Sequence, residues 1–465
     1  MTRKIILNAF DMTSAMHNSH GLWKHPDNKR TRNYKDLDYW LDLAKLLERG
    51  KFDAIFFADV YGVYDVYEQR KDPAVRNGLQ IPLNDPAFVV PAMASVTENL
   101  SFALTVSTTY DHPFANARRF STLDHLTEGR IAWNIVTSYL PNAARNFGLE
   151  KMLRHDERYE VADEFLDVSY KLWELSWEDG AIINDVENEV FADPGKIHEI
   201  DHQGSYFRVQ GPHLSEPSPQ RTPVIYQAGS SERGREFAAK HAECVFIGGR
   251  NPEKIQFYIK DIKKRAEKYG RNPNHIKTFT FLNVIVAETS KEAHQKYEEY
   301  NKLWSPDAAK ALFGGGSGYD LNQYTDIHSN FTYRHTEHGQ TSASLYTKDV
   351  KNQLKIKDVL KRMESMDSNH IVVGNPTEVA DKIQYLFEEI GVDGFNLAHL
   401  ISPASLEEFI ELVVPELQKR GIYKTKYKDG TLREKLFSGS NQLPNDHPAK
   451  VLREKFLTSK QPNGL

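Results

Sequence analysis

The feature that most constrains this chain is a regular alternation of short β-branched and aromatic runs with segments of helical periodicity. Strand-like runs fall at residues 4–10, 52–60, 100–109, 131–138, 223–229, 243–249, 276–287 and 394–399. Helical patterns lie between and after them, at 37–49, 86–98, 113–126, 157–173, 231–241, 254–269, 291–303, 377–390 and 405–420. Strands joined through helices run parallel, because the crossover brings the chain back to begin the next strand in the same direction. Eight such units predict an α/β fold, a closed (β/α)8 TIM barrel with long insertion loops, in preference to an open doubly wound sheet.

Three stretches interrupt the pattern: 60–85, 177–221 and 305–375. Long loops in a compact domain usually serve as lids, binding loops or subunit contacts. Residues 1–420 therefore read as a single barrel with insertions, and 421–465 as a polar, basic tail that wraps either a neighbour or its own barrel. A net charge of −5 from 59 basic and 64 acidic residues gives no field for nucleic acid. No run reaches the roughly 20 apolar residues of a membrane-spanning helix. The N-terminus has no secretory pattern. One cysteine, Cys244, excludes an intrachain disulfide and fits a reducing compartment. The expected setting is cytoplasmic, with no membrane and no nucleic acid as partner.

In a parallel barrel the reactive groups gather where the strands end. Those ends supply Phe10, Asp59, Ser107 to Thr109, Thr137, Ser138, Gly229 to Ser231, Gly248, Gly249 and His399. The set is rich in hydroxyls and poor in carboxylates, and it holds no nucleophile with a matching base. Such a site suits a bound molecule that brings its own chemistry.

The sharpest local signal is "QAGSSERGREFAAKHA", where a strand ends at Gly229 and a helix opens at Ser230 or Ser231. Free N–H groups, the positive helix end, two hydroxyls and Arg233 suit a phosphate. A plain serine N-cap accounts for the same residues without a ligand, so this segment leaves both readings open. "IAWNIVTSYL" places Asn134 and Thr137 in a strand and its mouth, ahead of Ser138 and Tyr139. In "RHDERYEVADEF", His155 and Tyr159 stand four apart on one helix face, a spacing that fits a capping pair more readily than ligands. His17, His20, His335 and His338 lack metal-ligand spacing and read as loop histidines, so no metal is expected. "FGGGSGYD" lacks the Lys-Ser/Thr of a phosphate loop and reads as a flexible turn.

Taken together, the motifs resemble the bacterial-luciferase-like flavin monooxygenases. The branch is the one holding nitrilotriacetate, dibenzothiophene-sulfone, dimethyl-sulfide and long-chain alkane monooxygenases. The carrying stretches include "LERGKFDAIFFADV", "STLDHLTEGRIAWNIVTS", "HDERYEVADEF" and "EPSPQRTPVIYQAGSSERGREFAAKHAE", and they run from residue 4 to about 420. The resemblance implies a barrel that binds reduced FMN at its C-terminal mouth, supplied by a separate NAD(P)H:flavin reductase. It implies that dioxygen adds to the reduced flavin, giving a flavin hydroperoxide or peroxide that passes one oxygen atom to a small organic substrate. It places the phosphate at Gly229, Ser230 and Ser231, with Tyr159 assisting and His155 beside it. Asp59, Asn134, Thr137 and Ser138 match positions that line the flavin. His17, Tyr64, Gln80 and Tyr139 are the candidate donors in the reaction pocket. Homodimers or homotetramers are expected.

Ser14, Tyr139 and Leu312 depart from the polar residues that the alkane-oxidising members carry there. An organosulfur substrate is the preferred expectation, with long-chain alkane hydroxylation as its alternative. Deazaflavin-dependent hydride transfer and non-catalytic flavin binding are the other readings.

Overall fold

The computed structural model describes residues 3–249, 251–348, 352–366 and 371–460. Eight parallel strands close into a barrel: β1 (Ile6–Asp11), β2 (Ala54–Phe57), β3 (Ser101–Ser107), β4 (Ile131–Val136), β5 (Val224–Ala228), β6 (Cys244–Ile247), β7 (Lys277–Val286) and β8 (Gly394–Ala398). Neighbours in sequence pair around the ring, β6 pairs with β7, and β8 returns to β1 from Ile6 opposite Gly394 to Phe10 opposite Ala398. All eight expected strands are present. They were legible because parallel strands are covered on both faces and so read as continuous apolar runs; every residue of β3 is buried.

Helices cover the outside, among them α1 (Leu37–Arg49), α2 (Pro113–Leu126), α3 (His155–Tyr170), α4 (Glu232–His241) and α5 (Pro252–Lys268). On α1, Trp40, Leu43, Ala44 and Leu47 recur at helical spacing and face the outer core. The barrel interior is a separate aromatic cluster that includes Phe10, Phe56, Tyr226 and Phe279. The Phe10 ring centroid lies 5.6 Å from that of Phe56, 5.4 Å from Phe246 and 5.8 Å from Phe281. A filled interior leaves the strand ends as the place where a ligand can lie.

Several elements differ from expectation. A ninth strand, Ile371–Gly374, pairs with Asn283–Val286, the far half of the ten-residue β7. Four residues among polar neighbours carry too little periodicity to signal a strand. The helix expected over 86–98 is a turn, Pro86–Phe88, followed by Val90–Ser95; the Asp85 carboxylate accepts from the Ala87 N–H and starts a separate cap. The insertion at 177–221 forms two small hairpins, Ile182–Asp185 with Val190–Ala192 and His202–Gln203 with Arg208–Val209.

The glycine run expected as a flexible turn is the end of a helix, α6 (Pro306–Ser317), closed by Gly318 at φ 79°. Glycine costs a helix about 1 kcal/mol each, but here it allows close approach. A Cβ on Gly315 would stand 2.3 Å from the Tyr64 ring. Packing against that ring decides the conformation.

The tail folds back on its own barrel. Helix α7 (Leu432–Phe437) sends Leu432 and Leu436 into the interior cluster from the strands' N-terminal side. Beside them the Arg433 guanidinium meets the Glu243 carboxylate at 2.7 and 2.9 Å, both side chains about 1% exposed.

Candidate active site

At the C-terminal mouth the expected residues fall into three groups. The first lines the wall between β3 and β4. Asn134 donates from Nδ2 to Thr105 Oγ1 at 2.8 Å, and Thr105 donates on to the Phe57 carbonyl at 2.7 Å. Ser138 donates to Ser107 Oγ at 2.9 Å, while Thr109 donates to the Thr137 carbonyl at 2.8 Å. Ser138 holds φ 58°, a left-handed conformation unfavourable for a non-glycine residue and frequent at ligand sites. Burial, with Asp85 and Asp111 nearby, pushes the Asp59 carboxyl up to about 7, against the pull of its bond from the Val60 N–H.

The second group sits at the start of α4. Ser231 is its N-cap, accepting from the Gly234 N–H at 3.1 Å. The Tyr159 hydroxyl, buried and bonded to Ser231, keeps its proton. A Cβ on Gly229 or Gly234 would lie 3.1 or 2.9 Å from that hydroxyl, so only glycine leaves this cradle open. Ser230 is more committed, because its oxygen accepts the Gly248 N–H at 2.9 Å and ties β5 to β6. His155 and Tyr159 do share one face of α3, with ring centroids 5.4 Å apart. The His155 ring pairs with Asp156 at 2.7 Å, and its backbone N–H is held by the Glu337 carboxylate from the long insertion. Burial pushes this imidazole below its ordinary value.

The third group lies across the mouth. The Tyr64 hydroxyl donates to Gln80 Oε1 at 2.9 Å and lies 2.7 Å from the Tyr139 hydroxyl. One phenol proton points at Gln80, so the proton between the two rings comes from Tyr139. The order is Tyr139 to Tyr64 to Gln80, which leaves the Gln80 Nε2–H groups as donors with no hydrogen bond among the described residues. Gln80, like Ser138, holds a positive φ, 50°. Burial raises both phenols above their ordinary value. Met16, Leu79, Leu140 and Ala311 pack around this trio, with Val60 and Leu312 beside them.

His17 lies next to Phe10, ring centroids 4.5 Å apart. Burial and the nearby His399 push it down to about 3, so it is neutral. Asn18 Nδ2 approaches His17 Nε2 at 3.2 Å, and the Phe10 backbone engages the ring as well.

Two features escaped sequence reasoning. Arg158 is buried, donates to the Leu153 carbonyl at 2.6 Å and the Glu337 carbonyl at 2.7 Å, and so places a cation beside Tyr159. It stood inside the "HDERYE" motif with nothing local to mark it. Asp11, Arg30 and His399 form a buried cluster at the ends of β1 and β8, with Nε2 of His399 3.1 Å from Asp11 and Arg30 paired to the same carboxylate. His399, itself named among the strand ends, stands 388 residues from Asp11 and 369 from Arg30, and only closure of the barrel joins it to them. Among the described residues no group of three or more His, Cys, Asp or Glu side chains is placed to hold a metal ion, and no helix is long and apolar enough to cross a membrane.

A polar ring system with a phosphate fits these residues. Asn134 Oδ1 and Gln227 Oε1 are buried without a partner on the wall, and the glycine cradle opens beside Tyr159 and the positive end of α4.

Comparison with known proteins gives the family. The model of the family described as "Luciferase-like monooxygenase" matches residues 14–394. A long-chain alkane monooxygenase of Geobacillus thermodenitrificans is 56% identical over 456 residues, covering 97% of this chain and 99% of that protein. A dimethyl-sulfide monooxygenase of Hyphomicrobium sulfonivorans is 44% identical over 458 residues, 98% of this chain and 95% of its own. The crystal structure of a riboflavin lyase with modified FMN and riboflavin superposes with a TM-score of 0.91 at 38% identity, covering 97% of this chain and 99% of that one. The chain belongs to the luciferase-like flavin-dependent monooxygenases.

Proposed function

We propose that this enzyme is the oxygenase of a two-component system, accepting reduced FMN from a separate NAD(P)H:flavin reductase. The observation that carries the reading is the pairing, across one barrel mouth, of a phosphate cradle at Ser231 and Tyr159 with the Tyr139–Tyr64–Gln80 chain set among apolar side chains. When bound, reduced FMN supplies the electrons that activate dioxygen, one atom of which enters the substrate while the other leaves as water.

The chain's own residues have distinct tasks in this reading. Ser231 accepts from Gly234 and shares one hydrogen bond with Tyr159, so one hydroxyl proton of the pair remains for a phosphate oxygen, with Gly229 and the first turn of α4 completing the cradle and Arg158 adding positive potential. Ser230 and His155 shape the cradle through Gly248 and Glu337. Asn134, Thr137, Ser138 and Asp59 line the ring system. Tyr139 and Tyr64 orient Gln80, whose Nε2–H donates toward the reacting oxygen. His17, neutral and held by Phe10 and Asn18, forms a wall. The apolar surround excludes water so that oxygen transfer competes with loss as hydrogen peroxide.

The pocket's walls suit a small, weakly polar substrate, and an organosulfur compound is the first reading. A long-chain alkane is the second, favoured by the 56% identity over nearly the whole chain. A homodimer or homotetramer is the expected assembly.

The test is anaerobic mixing with reduced FMN, then a pulse of oxygen followed by stopped-flow absorbance, with an organic sulfide or a long-chain alkane present or absent. Product formed in proportion to flavin consumed supports the reading and names the substrate class. Reoxidation at the rate of free flavin, with the oxygen recovered as hydrogen peroxide in every case, overturns it.

A further inference from the structure

The opposite face of the barrel carries a second cavity of about 700 Å³, bounded by the entries to β1, β2, β7 and β8 and by the tail before and within α7. A chain of net charge −5 places seven basic side chains around this one cleft against two carboxylates. Both carboxylates are committed. Asp53 accepts from the Leu7 N–H at 2.9 Å and from Lys424 at 2.5 Å. Asp393 accepts from the Thr278 N–H and hydroxyl at 3.0 and 3.2 Å, with Arg3 at 3.9 Å.

The other five cations, Lys4, Lys277, Lys426, Lys428 and Lys435, have no carboxylate within 4 Å among the described residues. Lys428 donates to Ser438 Oγ at 2.7 Å, Lys435 to the Asn99 carbonyl and Oδ1 at 3.2 and 3.1 Å, and Lys277 lies 5.7 Å from the Phe437 ring centroid. Neutral partners satisfy hydrogen bonds, and no carboxylate among the described residues pairs directly with any of the five. Burial, with Arg130 adding to it and Asp53 and Glu48 opposing, pushes the Lys435 ammonium down to about 8. Concave walls of one sign concentrate counter-ions of the other, and the volume is that of a small-molecule site.

We propose that this cleft is a second ligand site, separate from the flavin pocket, that takes a small organic anion carrying two phosphate groups. Density of charge, not the shape of an attached group, is what the lysines recognise: compact ammonium groups bind phosphate as point charges. The site lies beneath the barrel floor, where α7 sends Leu432 and Leu436 inward. Occupancy therefore draws Lys277 at the start of β7 and Lys435 on α7 onto one ligand and clamps the tail to the barrel.

The test uses the full-length enzyme, with and without saturating FMN, titrated calorimetrically at low salt with pyrophosphate, with ADP and with citrate. Expected is saturable binding of pyrophosphate and ADP, unaffected by FMN and weakened as salt rises, with a higher thermal midpoint. Replacing both Lys277→Gln and Lys428→Gln is expected to weaken it about tenfold or more, while flavin binding and oxygenase turnover stay as in the parent. ADP binding where pyrophosphate does not would overturn recognition by charge density. Citrate binding as tightly as pyrophosphate would overturn the phosphate assignment. Binding that survives the double substitution, or none at millimolar ligand, would overturn the site itself.

Discussion

The Tyr64 hydroxyl lies 2.7 Å from the Tyr139 hydroxyl and hands its own proton to Gln80. That order makes Tyr64 the pivot. Removing its hydroxyl strands the Gln80 oxygen and leaves the Tyr139 proton without an acceptor in a buried place.

Tyr64→Phe is therefore expected to raise the hydrogen peroxide released per flavin oxidised more than Tyr139→Phe does. A buried group left without its partner costs about 1–3 kcal/mol, enough to disorder Gln80. Flavin affinity is expected to stay within about twofold of the parent in both variants. The check is a coupling ratio, product against peroxide, beside a binding titration. Equal coupling in Tyr64→Phe and the parent would remove the relay from the reaction.

Ser231 serves two masters, the Gly234 N–H and the proposed phosphate. Ser231→Ala is expected to lose both, costing about 1 kcal/mol of helix stability and about 1.5–3 kcal/mol of FMN binding. Ser231→Asp separates them. Aspartate caps a helix as well as serine does, but its charge opposes a phosphate at short range. Unchanged thermal midpoint with FMN affinity lost beyond the alanine variant is the expected pattern. Intact FMN binding in the aspartate variant would move the phosphate elsewhere.

How much of this was readable in advance follows from distance along the chain. Ser231 could be found because a cap signals itself within a few residues of its helix, and the eight strands because each carries its own burial pattern. Gly315 was misread for the converse reason. Nothing in "FGGGSGYD" states that a tyrosine ring some 250 residues earlier requires a helix face without Cβ atoms. The same holds for Asp11 with His399 and for Arg433 with Glu243, pairs that only barrel closure or the returning tail brings together. Gln80 was named from resemblance, but the proton order that leaves its amide free needed the two distances.

The buried pair under the barrel sets a prediction for stability. Breaking a buried ion pair from one side strands a charge and costs about 3–5 kcal/mol, whereas replacing both members by apolar residues is often neutral. Glu243 also accepts the Ile225 N–H at 3.0 Å, so Glu243→Gln keeps a hydrogen-bonding group there and isolates the loss of charge. Urea denaturation is expected to place Glu243→Gln well below the parent and the Glu243→Leu, Arg433→Met double variant between them. A single variant as stable as the parent would mean the pair contributes nothing to the closure of the barrel by the tail.

Asp59 brings a pH-sensitive group to the mouth. Its carboxyl is raised to about 7 by burial, with Asp85 and Asp111 contributing, whereas in the unfolded chain it titrates near 3.9. Between those values the folded state binds the extra proton, so stability from this group is complete below about pH 4 and is lost as pH rises through 7. Asp59→Asn mimics the protonated form permanently. The thermal midpoint of the variant, relative to the parent, is expected to rise as pH increases from 5 to 8, because the parent alone loses stability over that window. FMN affinity should flatten over the same range if Asp59 lines the ring system, since the parent's carboxyl changes charge there and the amide does not. A parallel shift of both curves with pH would show that Asp59 titrates outside the window and that another group governs the mouth.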